Sequence, residues 1–465
     1  MLRTIKEVLL VWLIIFFSML LRTYKADFYP IHNNDDSLFH VWAGISNFKN
    51  FKKPASLTIF TLKNQAMFWN SQYNNYDTVR RFSFRLEQPY FDQPPLAMFF
   101  IALPAKIFGY TDFVQVPQML VRIPVLIASI FSLYLTYILA KRLFNTKVAL
   151  LAILVYGLTP FYIFSQRQSY LENFLTPVLL FGFINLFNYL AKPKSINLLI
   201  LIIVSLISGW IKIIGFGLPL IIAFWLLKKK AIKPFFLIIL SGGFSFLLYL
   251  LYGLSINAEQ FRFLLHAQSI RGMYLSSFFS ILTEPKFYEP FNDGLYLFNF
   301  FAMFFIFVNN KYFNKIKFLA LNFTFWLIFI ILTTDPGNPP WYRYPLFPLL
   351  SIASGYYLNY LLEKPTLVTL FPLILLGFTN LDLLSITYNH LFLRIGFLLI
   401  IFLFILQYFL PPLPKIIRLY KNLTIVILTI IFLINCYVPL KYLSNRCKIS
   451  NCLLPDKIVV KNRGN

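Results

Sequence analysis

The stretch Ile196–Leu227, "INLLILIIVSLISGWIKIIGFGLPLIIAFWLL", decides how this chain folds, because it is too long for one membrane helix and short for two. A single span needs about 20 apolar residues. Its flanks settle the reading: "AKPK" precedes it and "KKKAIK" follows it, and lysines clustered at span ends mark the cytoplasmic side. Both ends then lie on one side, so the chain crosses an even number of times. The stretch is expected to be two short spans that turn tightly near Gly209–Gly217.

The rest of the chain repeats this apolar character. It is 58% hydrophobic and 13% charged, with 55 Phe among 465 residues, whereas soluble chains carry about 25% charged residues. Runs long enough to cross a bilayer recur from one end to the other, without the alternation over about 10 residues that marks a barrel strand. The fold class is therefore an all-α polytopic membrane protein. Spans are expected at about 8–24, 121–140, 147–164, 171–190, 235–254, 294–309, 317–333, 345–361, 366–384, 391–410 and 422–440, which with the pair in 196–227 makes thirteen. The opening "MLRTIKEVLLVWLIIFFSMLL" has a basic start but no small-residue cleavage site, so it reads as an uncleaved first span.

Charge orients these spans. With the amino terminus inside, the inner segments collect Lys141, Arg142, Lys228, Lys229, Lys230, Lys315, Lys415 and other cations against only Glu7 and Glu363, as the positive-inside bias requires. "PPLAMFFIALPAKIFG", Pro94–Gly109, is only about 15 residues long, and a crossing there would reverse every later basic loop. It is expected to be re-entrant or to lie in the interface. The outer side then holds the long polar segments 25–93 and 256–292 and the short basic tail 441–465, around a membrane domain 1–440. The working surface should face away from the cytoplasm, in the plasma membrane. A formal charge of +25 fits lipid phosphate in such a chain, and nucleic acid is not expected.

Chemistry is sought on that outer face. "NNDDSLFHVWA" sets Asp35 beside Asp36: one carboxylate can take a proton from an acceptor hydroxyl while its neighbour orients the group or helps hold a cation. The competing reading is a solvated helix cap. In "RLEQPYFDQPPLAMFF", Asp92 precedes two prolines that fix the backbone. Cations recur on the same side: Arg122 in "VRIP", Arg167 in "SQRQSYLEN", Lys212 in "GWIKIIG", Arg262 and Arg271 in "FRFLLHAQSIRG", and Arg343 in "WYRYPLFPLL". They suit a phosphate at the membrane surface, or they snorkel to the interface. Glu172 is an equally good structural partner for a nearby cation. Trp341, Tyr342 and Tyr344 stack on sugar or form an aromatic belt. Cys436, Cys447 and Cys452 form no CxxC pair; in an oxidising exterior "CKISNC" has the option of a disulfide, with incidental thiols an equal alternative.

The order "DDSLFHVWA", "YFDQPPL", "VRIP", "SQRQSYLEN", "SGWIKIIG", "HAQSIRG" and "WYRYPLFPL" resembles the polyprenyl-phosphate-sugar-dependent GT-C glycosyltransferases, and within them the protein O-mannosyltransferase and aminoarabinose transferase superfamily, over about residues 8–360. The resemblance implies a many-helix membrane fold with amphipathic juxtamembrane helices in the first outer loop, and inverting transfer of a hexosyl or pentosyl group from polyprenyl phosphate to a hydroxyl acceptor. It makes Asp35 the general base, with Asp36 and Asp92 in support. Some relatives place lysine where this chain has Gln93, which shifts the donor phosphate towards Arg271, with Lys212 and Arg122 as further cations. His266, Trp341, Tyr342, Arg343 and Tyr344 are expected near sugar or acceptor. No cofactor is required beyond the lipid-linked donor; a divalent metal on Asp35 and Asp36 is the lesser reading, since the pair offers few evident ligands. The alternative from another class is a transporter or flippase of lipid-linked sugar or anionic polymer. Sugar, acceptor and oligomeric state are left open.

Overall fold

A computed structural model of the protein describes residues 2–27, 35–58, 67–70, 85–111, 116–270, 281–282, 286–287, 289–290, 293–308, 313–333, 340–384, 390–409, 414–448 and 459–462. A helix stands at each of the thirteen predicted spans. The amino-terminal half runs α1 (Leu2–Thr23), α2 (Asp35–Lys49), α3 (Leu96–Ile107), α4 (Gln118–Leu143), α5 (Thr146–Leu158), α6 (Pro160–Ser165), α7 (Leu171–Ala191), α8 (Ser195–Ile211), α9 (Gly217–Lys228) and α10 (Ile232–Ser269). The later helices are Gly294–Val308, Phe313–Thr333, Phe347–Glu363, Leu367–Gly377, His390–Phe409 and Pro414–Lys448. Among the described residues five helical segments, Gln118–Leu143, Leu171–Ala191, Ile232–Ser269, Asn314–Leu332 and Ile417–Lys441, are long and apolar enough to cross a bilayer on length and composition. The chain is a multi-pass membrane protein. Large apolar side chains such as Phe16, Phe131, Leu240 and Phe402 stay exposed on the helices, as a lipid solvent permits.

The opening stretch folds as its flanks require. α8 ends at Ile211, a 3-10 turn spans Ile213–Phe216, and α9 begins at Gly217. The turn closes on itself: the Ser208 hydroxyl donates to the Gly215 carbonyl at 2.9 Å. A Cβ on Gly215 would sit 2.0 Å from the Ser208 carbonyl oxygen, so no larger residue fits while this turn holds. Lys212 is the residue left between the two helices.

α3 has twelve residues, about 18 Å at 1.5 Å per residue, well short of the roughly 30 Å hydrocarbon layer. It lies across α2, where a Cβ on Gly44 would be 2.3 Å from the Met98 carbonyl oxygen. α10 outruns its predicted span because it is two helices in one: Asn257 breaks the helical backbone (φ −157°, ψ 98°), and its side chain accepts the Gln260 amide at 3.1 Å, capping a second helix. At the opposite end of the bundle Glu7 is paired with Lys141 and accepts from the Tyr137 hydroxyl, which ties α1 to α4. The Lys141 ammonium and the Tyr137 hydrogen bond hold its carboxyl below the usual range.

The short strands are confined to the connecting segments. Ser56–Thr58 pairs antiparallel with Arg85–Glu87, and Met67–Asn70 pairs antiparallel with Val459–Asn462. The carboxy-terminal tail and the first long loop therefore meet on one side of the bundle.

Candidate active site

The segment Gln166–Tyr170, between α6 and α7, joins several elements. Its formation follows from the break at Thr159–Pro160, where proline has no amide to continue α5. Gln166 accepts from Arg22 Nε at 2.9 Å and from the Ser129 hydroxyl at 3.1 Å. Arg167 donates to the Leu21 carbonyl. The Gln168 side chain accepts from the Tyr344 hydroxyl at 3.2 Å, and its carbonyl accepts from Asn173 Nδ2 at 2.8 Å. The Ser169 hydroxyl donates to the Val121 carbonyl at 2.8 Å, and Tyr170 stacks on Trp341 with centroids 4.7 Å apart. Residues 165–170 are all buried, so the polar groups in them need protein partners.

Beside this platform lies an ion pair sealed from solvent. Lys212 Nζ is 3.1 Å from Glu172 Oε1, with side chains 3% and 0% exposed. The ammonium also stands 5.2 Å from the centre of the Tyr342 ring, a cation–π contact. His40, from the middle of α2, closes the group: its Nδ1 is 3.0 Å from the Ser169 carbonyl oxygen, and its ring meets Tyr170 edge-on at 6.4 Å. A carbonyl only accepts, so Nδ1 carries the hydrogen of the neutral ring. Burial, with the Lys212 cation as a smaller cause, pushes the His40 imidazole down to about 3.

A second group meets the other side of the α8–α9 turn. Phe91, Tyr249, Phe261 and Leu264 pack together with Trp210, Ile213 and Phe216. Here the Thr58 hydroxyl donates to the Asp92 carboxylate, and Gln268 Nε2 donates to the Asp92 carbonyl at 3.1 Å. Asp92 is thus held between the first loop and the carboxy-terminal end of α10, at Gln268, two residues from His266. Gln93 is partly exposed, and its Oε1 is buried without a hydrogen-bond partner among the described residues. Next to it, Pro95, Leu96, Phe99, Phe51, Ile207 and Trp210 line an apolar groove.

These groups bring the predicted words "HVWA", "FDQPP", "SQRQSYLEN", "GWIKIIG", "HAQS" and "WYRYPLF" into one region. Asp35 and Asp36 are the first two residues of α2, five and four positions before His40; their side chains lie outside the described residues, as do Arg271 and Asp335–Asn338. Cys452 lies outside them too, as does the Cys447 side chain. His266 and Arg262 are exposed on the last turns of α10, whereas the other cations and aromatics are more enclosed than a surface reading suggests. Arg122 is buried and donates to the Ala26 carbonyl just beyond α1. Arg343 is 1% exposed, with Tyr296 beside it. Tyr342 and Tyr344 are buried, leaving Trp341 as the half-exposed aromatic of that turn. Glu172 pairs with Lys212, the structural alternative left open for it. His40, Ser169 and Tyr170 carried no signal beyond their place within the two quoted words. Among the described residues no three His, Cys, Asp or Glu converge to hold a metal.

Comparison with known proteins follows this geometry. Residues 92–252 match the family model of dolichyl-phosphate-mannose-protein mannosyltransferases. No curated protein sequence matches the chain. Among solved structures, apo ArnT from Cupriavidus metallidurans superposes with a TM-score of 0.56 at 14% identity, covering 95% of this chain and 78% of ArnT. ArnT bound to undecaprenyl phosphate gives 0.54 at 12% identity, covering 96% and 79%. The apo oligosaccharyltransferase of Archaeoglobus fulgidus gives 0.52 at 9% identity, covering 98% of this chain and 61% of that one. The mannosyltransferase match thus lies on the segment that holds Asp92, Arg122, Glu172 and Lys212, and the whole chain shares the membrane fold of ArnT.

Proposed function

We propose that the protein transfers a sugar from a polyprenyl-phosphate donor to a hydroxyl acceptor at the outer face of the plasma membrane, with inversion at the anomeric carbon. The observation that carries this reading is the convergence of the Gln166–Tyr170 platform, the α8–α9 turn and the Pro340–Leu346 turn on His40 of α2, one helical turn from Asp36. The similarity to an ArnT bound to undecaprenyl phosphate supports a lipid-phosphate donor.

In the reaction Asp35 takes the acceptor proton as the hydroxyl oxygen attacks the anomeric carbon. The new carbon–oxygen bond forms while the bond from that carbon to the phosphate oxygen breaks. Polyprenyl phosphate leaves as a monoester and needs no proton donor. Asp36 orients the acceptor, and Asp92, fixed by Thr58 and Gln268, supports the donor side. Arg271, which follows the outer end of α10, stabilises the charge growing on the phosphate, where electrostatic catalysis acts most strongly; Gln93 offers its amide there. Lys212 and Arg122 act from beneath, the one through Glu172 and Tyr342, the other by fixing the exit of α1. Trp341 is the aromatic surface for sugar or acceptor, flanked by Tyr342, Arg343 and Tyr344, with His266 contributing from the last turns of α10.

The test is a panel of polyprenyl-phosphate mannose, glucose and 4-aminoarabinose offered to the purified protein with envelope lipid, glycan and protein acceptors. Release of polyprenyl phosphate with labelling of one acceptor is expected. Labelled lipid crossing proteoliposomes without any donor consumed would replace the reading with transport.

A further inference from the structure

We propose that His40 is a positioning residue for this reaction: its Nδ1–H, held on the Ser169 carbonyl, sets the rotation of α2 about its axis and so the direction in which the Asp35–Asp36 turn faces. The proposal rests on the transferase reading above. α2 is held at several points, among them Ser46, whose hydroxyl accepts from the Ala55 amide at 2.6 Å. Gly44 seats it on α3 at the Met98 carbonyl, and the Ser56 hydroxyl donates to the Phe39 carbonyl at 2.7 Å. Both fix height and distance. The His40 bond, at 3.0 Å, ties α2 to the platform that carries Tyr170 and leads into Glu172. Its acceptor is itself immobile, because the Ser169 hydroxyl is bound to the Val121 carbonyl and Tyr170 is stacked on Trp341.

Proton transfer is the other role open to a histidine one turn from a carboxylate pair. The surroundings argue against it. His40 is 1% exposed and faces the Lys212 ammonium, with Glu172, Tyr170 and Tyr342 completing the group. Burial and the fixed Lys212 cation outweigh the Ser169 carbonyl, which alone would favour the charged ring, so His40 has no reason to charge between pH 5 and 9. Residues 36 and 40 are one helical turn apart, on the same face of α2. A twist of α2 that breaks the Ser169 bond therefore moves the acid pair with it.

Three variants separate the roles. Asparagine places its amide nitrogen where Nδ1 stands, glutamine places it further out, and leucine fills the volume with no donor. His40→Leu and His40→Gln are expected to lower kcat about 10-fold to 100-fold with the donor KM unchanged, the size of loss that small misplacement produces. Amide hydrogen exchange across residues 35–49 should quicken in both. His40→Asn should recover kcat to within about threefold, with wild-type exchange and an unshifted pH–rate profile. Full kcat and normal exchange in both His40→Gln and His40→Leu would overturn the proposal. So would a His40→Asn protein as slow as His40→Leu that has lost one limb of the pH profile, which would make the ring an acid–base group. If wild type consumes no donor, the transferase reading fails, and the exchange of α2 in the variants still decides whether His40 holds the helix.

Discussion

At the scale of single residues, the charges that carry this molecule are mostly not at its surface. Lys212 and Glu172 are sealed together, and removing one partner of such a pair strands the other charge in a dry site, at about 3–5 kcal/mol. Glu172→Gln and Lys212→Met should each destabilise the protein by that order, and the double variant by clearly less than the two together. Thermal unfolding of the four proteins in one detergent measures it; additive losses would show that the two side chains do not interact. His40 makes a pH prediction. Its folded value of about 3 lies below the ordinary 6.5, so between those values the unfolded chain binds the proton and the folded chain does not. Stability then rises with pH across that window. The wild type should lose stability on acidification from about pH 6.5 towards 3 more steeply than His40→Asn, read as the difference in melting temperature at each pH.

At the scale of elements, the tight places are turns and crossings that a pattern of apolar residues only partly reveals. The α8–α9 turn was legible because lysine flanks impose parity and glycines mark the bend. What was not legible was its content: Lys212 reads as an outer cation, and only the fold shows that the turn aims it at Glu172. The partners of Arg122 and Arg167 were equally illegible. Each has the chemistry of a phosphate ligand, and each donates to a backbone carbonyl at the end of α1, Ala26 and Leu21, where a helix leaves acceptors unsatisfied. Hydrogen bonds to carbonyls leave no trace in composition or spacing. Gly215→Val should be among the most damaging single changes in the turn, since its Cβ would lie 2.0 Å from the Ser208 carbonyl oxygen. A loss of about 1–3 kcal/mol is expected for such overpacking, together with loss of transfer; an unchanged melting temperature would show that the turn opens freely.

At the scale of the whole molecule, the account depends on sidedness. Charge counting puts the first long loop and the tail outside, and the pairing of Met67–Asn70 with Val459–Asn462 requires the two to share a side. In a variant lacking the native cysteines, new cysteines at Lys52 and Lys461 should both react with an impermeant maleimide from outside intact cells, and one at Lys229 should not. Reaction of Lys52 and Lys461 from opposite sides would break the topology. The central claim is that an outer carboxylate at the start of α2 activates the acceptor. Asp35→Asn keeps the side-chain shape and removes the base, and general-base loss costs about 10²–10⁴-fold. The decisive measurement is sugar transfer by purified Asp35→Asn protein with the donor that wild type consumes, alongside binding of that donor: transfer falling by that factor with donor affinity retained is the expected result, and full transfer by a normally folded variant would contradict the account.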